Sequence, residues 1–297
     1  MPLPPDIDRT RHVDGVLARY EPAGPAMLLP LIFDSPHSGR TYPQDFNHAA
    51  PRDLLRRAED AFVDDLYETA PLHGAVFLKA LFPRSYVDPN RHEDEIDPTI
   101  MEEDWPNPVL ASEKAEMGLG LVRRLIKGNV EIYDRPLSVA EVKSRIDRFH
   151  QPYLHELESL AARACVEFGA VWHINCHSMR ATGRKHGQRI ARADFVLGDR
   201  DGTTCEPGFT ALAAETLRQL GYRVALNDPF KGAELVRRIG RPAQHRHSLQ
   251  IEVNRGLYMD EDRIELTAGF DRLKTDIDRL IAAIARYVKE RLADTVR

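Results

Sequence analysis

The chain has few of the features that mark secreted or membrane proteins. Its three cysteines, Cys165, Cys176 and Cys205, have no paired spacing, which favours a reducing compartment over a disulfide framework. No apolar run approaches the roughly 20 residues that a membrane-spanning helix needs. The first residues also lack the basic and apolar regions of a signal peptide. We therefore expect a cytoplasmic protein with no membrane partner.

Positive charge is also not concentrated anywhere along the chain. The formal net charge is -5 and no basic stripe dominates, so we expect no nucleic-acid partner. Hydrophobic residues (42%) and charged residues (29%) occur at levels that are ordinary for a globular protein. No repeat, low-complexity tract or composition break divides the 297 residues, so one domain over 1–297 is predicted. The oligomeric state stays open.

The order of the predicted elements indicates an α/β protein. Strand-like segments alternate with helical ones, which favours a central mixed sheet flanked by helices. Strands are predicted at 27–33, 75–82, 85–88, 170–176, 194–198, 222–226 and 249–253. Helices are predicted at 54–72, from the capping residue Ser138 towards Gly169 with a kink or break at Pro152, at 209–220, and within 264–295.

Two histidines follow predicted strands at the edge where α/β proteins place their chemistry. His37 lies in a tight Pro-His-Ser-Gly segment, and His177 ends a buried apolar run before a predicted loop, 178–180. Each could be a turn or strand residue bonded to backbone, but the pair suggests a metal site assembled from distant segments. Two imidazoles favour zinc over magnesium, while manganese, cobalt and iron stay open.

A third metal ligand is expected, because a catalytic zinc usually has three protein ligands and one open position. Asp60 and Asp64 lie four residues apart on the predicted helix 54–72, hence on one face. The alternative is a solvated acidic face. We predict Asp60 as the ligand and keep Asp64 and Glu59 as alternatives.

Glu252 is the strongest candidate for a general base. Leu249, Ile251 and Val253 alternate with polar residues, so Glu252 lies on the polar face of a predicted strand. A glutamate inside an apolar strand costs free energy unless it is paired or functional. A base for a metal-activated water fits this position. The alternative is a buried salt bridge, with Arg255 as one possible partner.

Two arginines and one cysteine complete the candidates. Arg84 and Arg91 flank a predicted strand end, and arginine can hold a carboxylate in two places or polarise a carbonyl. They could equally be surface residues. Cys176 adjoins His177, but neighbouring strand residues point to opposite faces, so a Cys-His nucleophile is not expected. We interpret Cys176 as a small buried apolar residue.

Several of these segments together resemble the N-formylglutamate amidohydrolase family. They occur in family order between about residues 30 and 260, and the ordered set is specific although each motif is weak. The matching segments are Pro36-His37-Ser38-Gly39-Arg40, Glu59-Asp60 with Val63-Asp64, Arg84 with Val87-Asp88-Pro89-Asn90-Arg91, Asn175-Cys176-His177-Ser178-Met179, Leu197-Gly198-Asp199-Arg200, Asn227-Asp228-Pro229-Phe230, and Gln250-Ile251-Glu252-Val253-Asn254-Arg255.

This resemblance implies hydrolysis of N-formyl-L-glutamate to formate and L-glutamate, a late step of one histidine-degradation route. The family is more distantly similar to zinc carboxypeptidases and aspartoacylases, which implies a fold of that kind with a two-histidine, one-carboxylate metal site. Two departures are visible. The distant relatives have His-x-x-Glu, where this chain has Arg40 three residues after His37, and Pro89 replaces the more usual leucine of Asp-Leu-Asn-Arg.

The resemblance also implies roles for individual residues, with one zinc ion per chain and a small acidic substrate. The predicted set is His37, Asp60 and His177 on the metal, Glu252 as base and then acid, Arg84 on the oxyanion, Asn90 and Arg91 on one substrate carboxylate, and Arg180 or Arg189 on the other. Two alternatives remain: a related zinc hydrolase for another N-acyl amino acid or short peptide, and a non-catalytic binding protein with the same fold.

Overall fold

A computed structural model describes residues 4–24, 27–126, 129–185 and 188–295. Its centre is a sheet of eight strands in the order β1-β2-β4-β3-β7-β12-β10-β11. These strands are β1 (Ile7–Val13), β2 (Leu17–Pro22), β3 (Leu31–Ser35), β4 (Val76–Ala80), β7 (Val171–Met179), β10 (Phe195–Gly198), β11 (Val224–Leu226) and β12 (Arg246–Asn254). Three small ribbons pair β5 (Leu125–Ile126) with β6 (Val130–Glu131), β8 (Thr182–Lys185) with β9 (Gln188–Ala191), and β13 (Met259–Asp260) with β14 (Glu265–Leu266).

The sheet is mixed, as the sequence predicts. Strands β4, β3, β7 and β12 run parallel to one another in the middle of the sheet. Antiparallel pairs join β1 to β2, β2 to β4, and β10 to β12, while β11 pairs with β10 in parallel. The carboxyl ends of the four parallel strands therefore meet at one edge.

Helices cover both faces of this sheet. One apolar cluster packs α2, α6 and α8 against one face, and a second packs α4, α5 and α7 against the other. The expected α/β class with a central mixed sheet flanked by helices is therefore confirmed. The helices are α1 (Arg52–Arg56), α2 (Val63–Leu66), α3 (Glu113–Glu116), α4 (Val139–Arg145), α5 (Gln151–Phe168), α6 (Pro207–Gln219), α7 (Glu234–Ile239) and α8 (Phe270–Thr295). Short 3₁₀ turns lie at Gln44–Phe46, Ala70–His73, Pro98–Ile100, Pro242–Gln244 and Arg255–Leu257.

The prediction of one continuous helix over 54–72 is wrong. The segment contains α1, α2 and a 3₁₀ turn, and Phe62 between the two helices has a left-handed backbone with φ 65°. The Asp60 amide donates to the His37 carbonyl at 3.0 Å instead of to a helical carbonyl. Contacts with a distant loop therefore override the local helical pattern, and Asp60 and Asp64 do not share one helix.

Other boundaries differ in instructive ways. Strand β7 continues through Met179, so 178–180 is not a loop and His177 lies within the strand. The predicted strand 85–88 is a turn. Ser138 caps α4 by accepting from the Glu141 amide at 3.2 Å, as predicted. The predicted break near Pro152 takes the form of a π-helical stretch, Ile146–His150, between α4 and α5. Pro152 lies in the first turn of α5.

None of the helices among the described residues combines the length and the apolar character that crossing a membrane would require. The longest, α8, buries one apolar face against the sheet and carries charges elsewhere.

Gly39 offers a test of how the loop after β3 is built. A Cβ atom at this position would lie 2.1 Å from the Phe82 carbonyl oxygen and 2.5 Å from the Leu81 carbonyl carbon. Because these are backbone atoms, Gly39→Ala should cost about 2 kcal/mol or more in the free energy of unfolding. Gly24→Ala is the control, since a Cβ there would meet no atom within 4 Å. Thermal unfolding of both variants measures this; equal melting temperatures would contradict the predicted clash.

Candidate active site

Three distant segments converge at the carboxyl-terminal edge of the parallel strands. His37 lies two residues after β3, His177 lies near the end of β7, and Asp60 lies between α1 and α2. All three side chains are buried, with at most 4% of each side chain exposed. The structure thus brings together the three residues that the sequence proposes as metal ligands.

The ligand atoms of this group form a small triangle. His37 Nδ1 and His177 Nδ1 are 3.1 Å apart, and Asp60 Oδ2 lies 2.9 Å from His177 Nδ1 and 3.3 Å from His37 Nδ1. Ligands at zinc bond lengths in a tetrahedron are separated by roughly 3.3 Å. The three atoms are therefore spaced as three ligands of one metal ion.

The outer nitrogen of each imidazole meets an acceptor that sets its tautomer. His37 Nε2 lies 2.6 Å from Asp88 Oδ1, and His177 Nε2 lies 2.7 Å from Asn175 Oδ1. The Asn175 amide is oriented by its own donation to Asp34 Oδ1 at 2.7 Å, so its oxygen must face His177. Both outer nitrogens therefore donate a proton, as metal-bound histidines do.

This arrangement leaves lone pairs facing one another inside the triangle. With the proton of each neutral imidazole on Nε2, both Nδ1 atoms are acceptors, and Asp60 Oδ2 is a third. Three acceptor atoms at these distances repel unless a cation or a proton lies among them. The residues present therefore fit a divalent metal, and the mixed nitrogen and oxygen donors suit zinc.

Asp60 is held for this position, and its two alternatives are occupied elsewhere. Asp60 Oδ1 accepts from Arg255 Nη2 at 2.9 Å, which leaves Oδ2 for the triangle. Asp64 pairs with Lys79 at 2.9 Å, and Glu59 accepts from the Tyr42 hydroxyl at 2.6 Å. The geometry therefore favours Asp60 over Asp64 and Glu59 as the third ligand.

Glu252 lies beside the triangle on strand β12. It is directly opposite His177 in the parallel pairing of β12 with β7. Among the described residues it makes no ion pair within 4 Å, and its one side-chain hydrogen bond comes from Gln250 Nε2 at 3.0 Å. Burial raises the pKa of Glu252 to about 7. The alternative of a salt bridge with Arg255 does not form, because Arg255 bonds Asp60 and Ser178 instead.

Arg84 and Asn90 lie beside the same three residues but differ in the hydrogen bonds that their side chains make. Arg84 donates twice to Asp88 Oδ2, at 2.7 and 3.1 Å, and its Nη1 lies 3.9 Å from Asp60 Oδ1. The Asn90 amide is engaged at both ends: its oxygen accepts from the Leu235 amide at 2.9 Å and its nitrogen donates to Asn175 Oδ1 at 3.4 Å. Asn90 is therefore placed to support Asn175, and its substrate contact stays a prediction.

The remaining predicted substrate arginines occupy different positions. Arg91 and Arg180 line the cleft above the triangle. Arg189 lies on the exposed ribbon strand β9, bonded to Thr182, and does not line the cleft. Of the two candidates for the second carboxylate, the geometry therefore favours Arg180.

The cleft itself is large and strongly cationic. Its volume is about 1060 Å³, and the described residues that line it include eleven arginines and lysines but five aspartates and glutamates. The whole chain carries a net charge of -5, so the positive charge is concentrated here. Such a site attracts small anions.

Sequence reasoning missed several residues that shape this site. Asp88 and Asn175 orient the two imidazoles, and Lys114 and Arg123 line the cleft. Asn175 could have been found, because a residue two positions before His177 on a strand shares its face. Lys114 and Arg123 lie in a segment without a clear periodic pattern, and only long-range folding places them here.

Cys176 lies on the opposite side of the sheet from His177. It is fully buried in the apolar cluster that packs against α6 and α8. Burial raises the pKa of its thiol well above the usual value. The interpretation of Cys176 as a small apolar residue therefore fits this placement.

Taken together, the fold and the site define an α/β protein with a His/Asp/His group able to hold a metal, a buried glutamate and a cationic cleft. The family model for N-formylglutamate amidohydrolase matches residues 29–259. The chain belongs to this family, as the sequence motifs indicate.

Individual relatives agree with this assignment. An N-formylglutamate deformylase from Pseudomonas aeruginosa is 29% identical over 279 residues, which cover 89% of this chain and 96% of that protein. One from Pseudomonas putida is 27% identical, covering 78% of this chain and 83% of that protein. The crystal structure of an N-formylglutamate amidohydrolase from Ralstonia eutropha JMP134 matches with a TM-score of 0.88 and 46% identity, over 93% of this chain and 99% of that one.

A more distant structure shares the fold. A gene product from Agrobacterium tumefaciens matches with a TM-score of 0.56 at 17% identity, over 86% of this chain and 90% of that one. The α/β architecture is therefore retained where most of the sequence has changed. The likeness to zinc carboxypeptidases stays a prediction.

Removal of single ligands tests the metal site. We expect one divalent metal per chain after reloading with zinc, and its loss in His37→Ala, His177→Ala and Asp60→Asn. Asp64→Asn is the matched control, because Asp64 pairs with Lys79 outside the triangle. Elemental analysis measures the metal content of each variant. Normal binding in Asp60→Asn combined with loss in Asp64→Asn would reassign the third ligand.

Proposed function

We propose that this protein is a metal-dependent amidohydrolase that cleaves N-formyl-L-glutamate to formate and L-glutamate. The observation that carries the proposal is Glu252, a buried carboxylate that has no ion-pair partner in the described part of the chain and lies directly opposite His177. The names of the Pseudomonas relatives and the cationic cleft support an acidic formyl amide as substrate.

His37, Asp60 and His177 would hold the metal, and zinc is our choice because of the two imidazoles. When bound, the ion supplies Lewis acidity, which polarises the formyl oxygen and makes water more acidic. Asp88 and Asn175 keep the imidazoles in the tautomer that this role needs.

Glu252 acts as the general base and then as the general acid. Its carboxylate takes a proton from the attacking water and later gives a proton to the leaving amine nitrogen. A pKa raised to about 7 by burial suits both steps, because the group exchanges protons readily near neutral pH. The Gln250 amide fixes the carboxylate by donating to Oε1 at 3.0 Å.

The cleft arginines bind and stabilise negative charge. Arg84 is held by Asp88 near Asp60 and donates to the oxyanion that develops on the formyl oxygen. Arg91 binds one carboxylate of the substrate and Arg180 the other, because both line the cleft. Asn90 contributes by donating to Asn175 Oδ1 at 3.4 Å, the oxygen that accepts from His177 Nε2.

The wider setting is part of the same proposal. We place the reaction in histidine catabolism in the cytoplasm, carried out by one domain that spans 1–297.

One observation favours a second candidate, a deacylase for a larger N-acyl amino acid or short peptide. The cleft of about 1060 Å³ lies at the upper end of ordinary ligand pockets, which are roughly 300–1,000 Å³.

A substrate panel separates the two candidates. Formate and acetate release are measured for N-formyl and N-acetyl forms of glutamate and aspartate, with zinc-loaded protein. The highest kcat/KM for N-formylglutamate supports the proposal. A preference for a longer acyl group selects the second candidate. If the protein binds stoichiometric metal but releases no product from any compound, the non-catalytic binding protein is the alternative that stands.

Glu252→Gln tests the base. The amide has nearly the same shape as the carboxylate but cannot accept the water proton, so kcat should fall by about 100- to 10,000-fold. Metal content and melting temperature should stay close to wild type. Gln250→Ala is a useful comparison, because it removes only the hydrogen bond that fixes the base and should cost much less. A near-normal kcat for Glu252→Gln would remove Glu252 from the mechanism.

The pH profile provides an independent check on the same residue. A base works only when deprotonated, so kcat/KM should rise with pH and level off above the pKa of Glu252. Burial sets that pKa at about 7, and a cation in the triangle lowers it, so the inflection should lie at or below 7. Rate measurements from pH 4.5 to 9 on metal-saturated enzyme locate it. An inflection above 8 would point to another group.

A further inference from the structure

Positive charge exceeds negative charge on the wall of the cleft next to Asp88. Four cations, Arg84, Arg91, Lys114 and Arg123, line the cleft here. Asp88 accepts from Arg84 and Arg123 but is also committed to His37. Two further carboxylates line this wall: Glu95 lies 3.8 Å from Arg91 Nε and accepts from Ser112, and Glu113 adjoins Lys114 on α3, which leaves four cations against three carboxylates. An anion in the cleft would balance this surplus.

Arg123 carries the surplus most clearly. It is 9% exposed, and its one hydrogen bond among the described residues is a long one, 3.4 Å from Nη2 to an Asp88 oxygen that Arg84 already occupies. Its Nε is buried and has no hydrogen-bond partner among the described residues. Burial and the neighbouring Arg84 lower the pKa of the guanidinium to about 9. Buried guanidinium groups normally have their donors satisfied, so the donors of Arg123 suit an anionic ligand.

Lys114 adds a second cation at this wall. It is an exposed residue of α3 that lines the cleft, and no described residue offers its ammonium group a hydrogen bond or an ion pair within 4 Å. Partial burial of the ammonium group, together with Arg91 and Arg123, lowers its pKa. Two mutually repelling cations at one wall are stabilised when a carboxylate binds between them.

We propose that Lys114 and Arg123, together with Arg91, form the subsite that binds the side-chain carboxylate of the substrate and selects glutamate. The inference rests on the proposed function and names the residues that determine its specificity. Leu110, Met117, Leu119 and Leu125 line the cleft beside these cations. They provide apolar contacts for the two methylene groups that separate this carboxylate from the Cα atom that carries the formamido group.

The main-chain carboxylate of the substrate then belongs to a second cationic group, Arg180 with Arg192. Neither side chain makes a hydrogen bond or an ion pair within 4 Å in the described part of the chain, although Arg192 stacks on Phe230 with 4.9 Å to the ring centroid. Their charges influence each other and Arg255, not the Asp88 wall. Two separate anion sites match a substrate with two carboxylates.

Lys114→Gln tests the subsite, with Lys231→Gln as the matched control. Lys231 also lines the cleft and is exposed like Lys114, but it is paired with Asp201 at 2.7 Å. Lys114→Gln should lower kcat/KM for N-formylglutamate by about 10-fold or more. This factor corresponds to the free energy lost with one hydrogen bond to a charged group. It should leave kcat/KM for N-formylglutamine, which lacks the side-chain charge, within about 2-fold of wild type.

Arg123→Lys is the second variant. It keeps the charge but loses the planar fork, and it should show the same substrate dependence with unchanged metal content. Equal losses on N-formylglutamate and N-formylglutamine in both variants would overturn the proposal. So would wild-type kinetics in both variants, or an equal effect in Lys231→Gln.

Direct binding separates this inference from the reaction itself. Titration calorimetry with glutarate, against 4-carbamoylbutanoate in which an amide replaces one carboxylate, measures selectivity for the dicarboxylate without turnover. We expect wild type to prefer glutarate and Lys114→Gln to lose most of that preference. If formate release fails but this pattern holds, the proposed reaction is wrong and the subsite stands. If formate is released and Lys114→Gln keeps the preference, the subsite is wrong.

Discussion

The site depends on three lone-pair-bearing atoms held within 3.3 Å of one another in the interior. Such a group is stable without water only if a cation or a proton lies within it and every neighbouring polar atom has a partner. The outer partners follow from this constraint. Asp88 takes the proton of His37, Asn175 takes that of His177, and Asp34 orients Asn175. The core on this side of the sheet is therefore built from hydrogen bonds as much as from apolar packing.

The two faces of the central strands divide these tasks. On β7, Ile174 and Cys176 pack into the apolar cluster under α6 and α8, while Asn175 and His177 face the site. Strand β12 repeats the pattern, with Ile251 in the cluster and Glu252 in the cleft. A period of two is visible in a sequence, which is why the polar face that carries Glu252 could be predicted without any structure, whereas His177 is predicted from its place at the end of an apolar run.

The features that sequence reasoning missed depend on contacts between distant segments. The segment around Asp60 has a helical pattern, but its backbone bonds to the His37 carbonyl and the helix divides there. The cationic wall is another case. Arg123 reaches Asp88 across 35 residues and lies in no periodic element, so no local pattern indicates its position. Local periodicity predicts faces of strands; it does not predict which loops fold over them.

Asp88 contacts three parts of the site: His37, Arg84 and Arg123. One of its oxygens accepts from His37, and the other accepts from Arg84 and Arg123. Burial opposes its ionisation, but Arg84, His37 and Arg123 together outweigh burial and hold the pKa of Asp88 well below its usual value. A single ionised carboxylate thus supports a proposed metal ligand, the proposed oxyanion donor and the proposed carboxylate subsite. Substitutions at those three positions share one partner, so their free-energy effects should not add, and metal affinity and substrate preference should be coupled through Asp88.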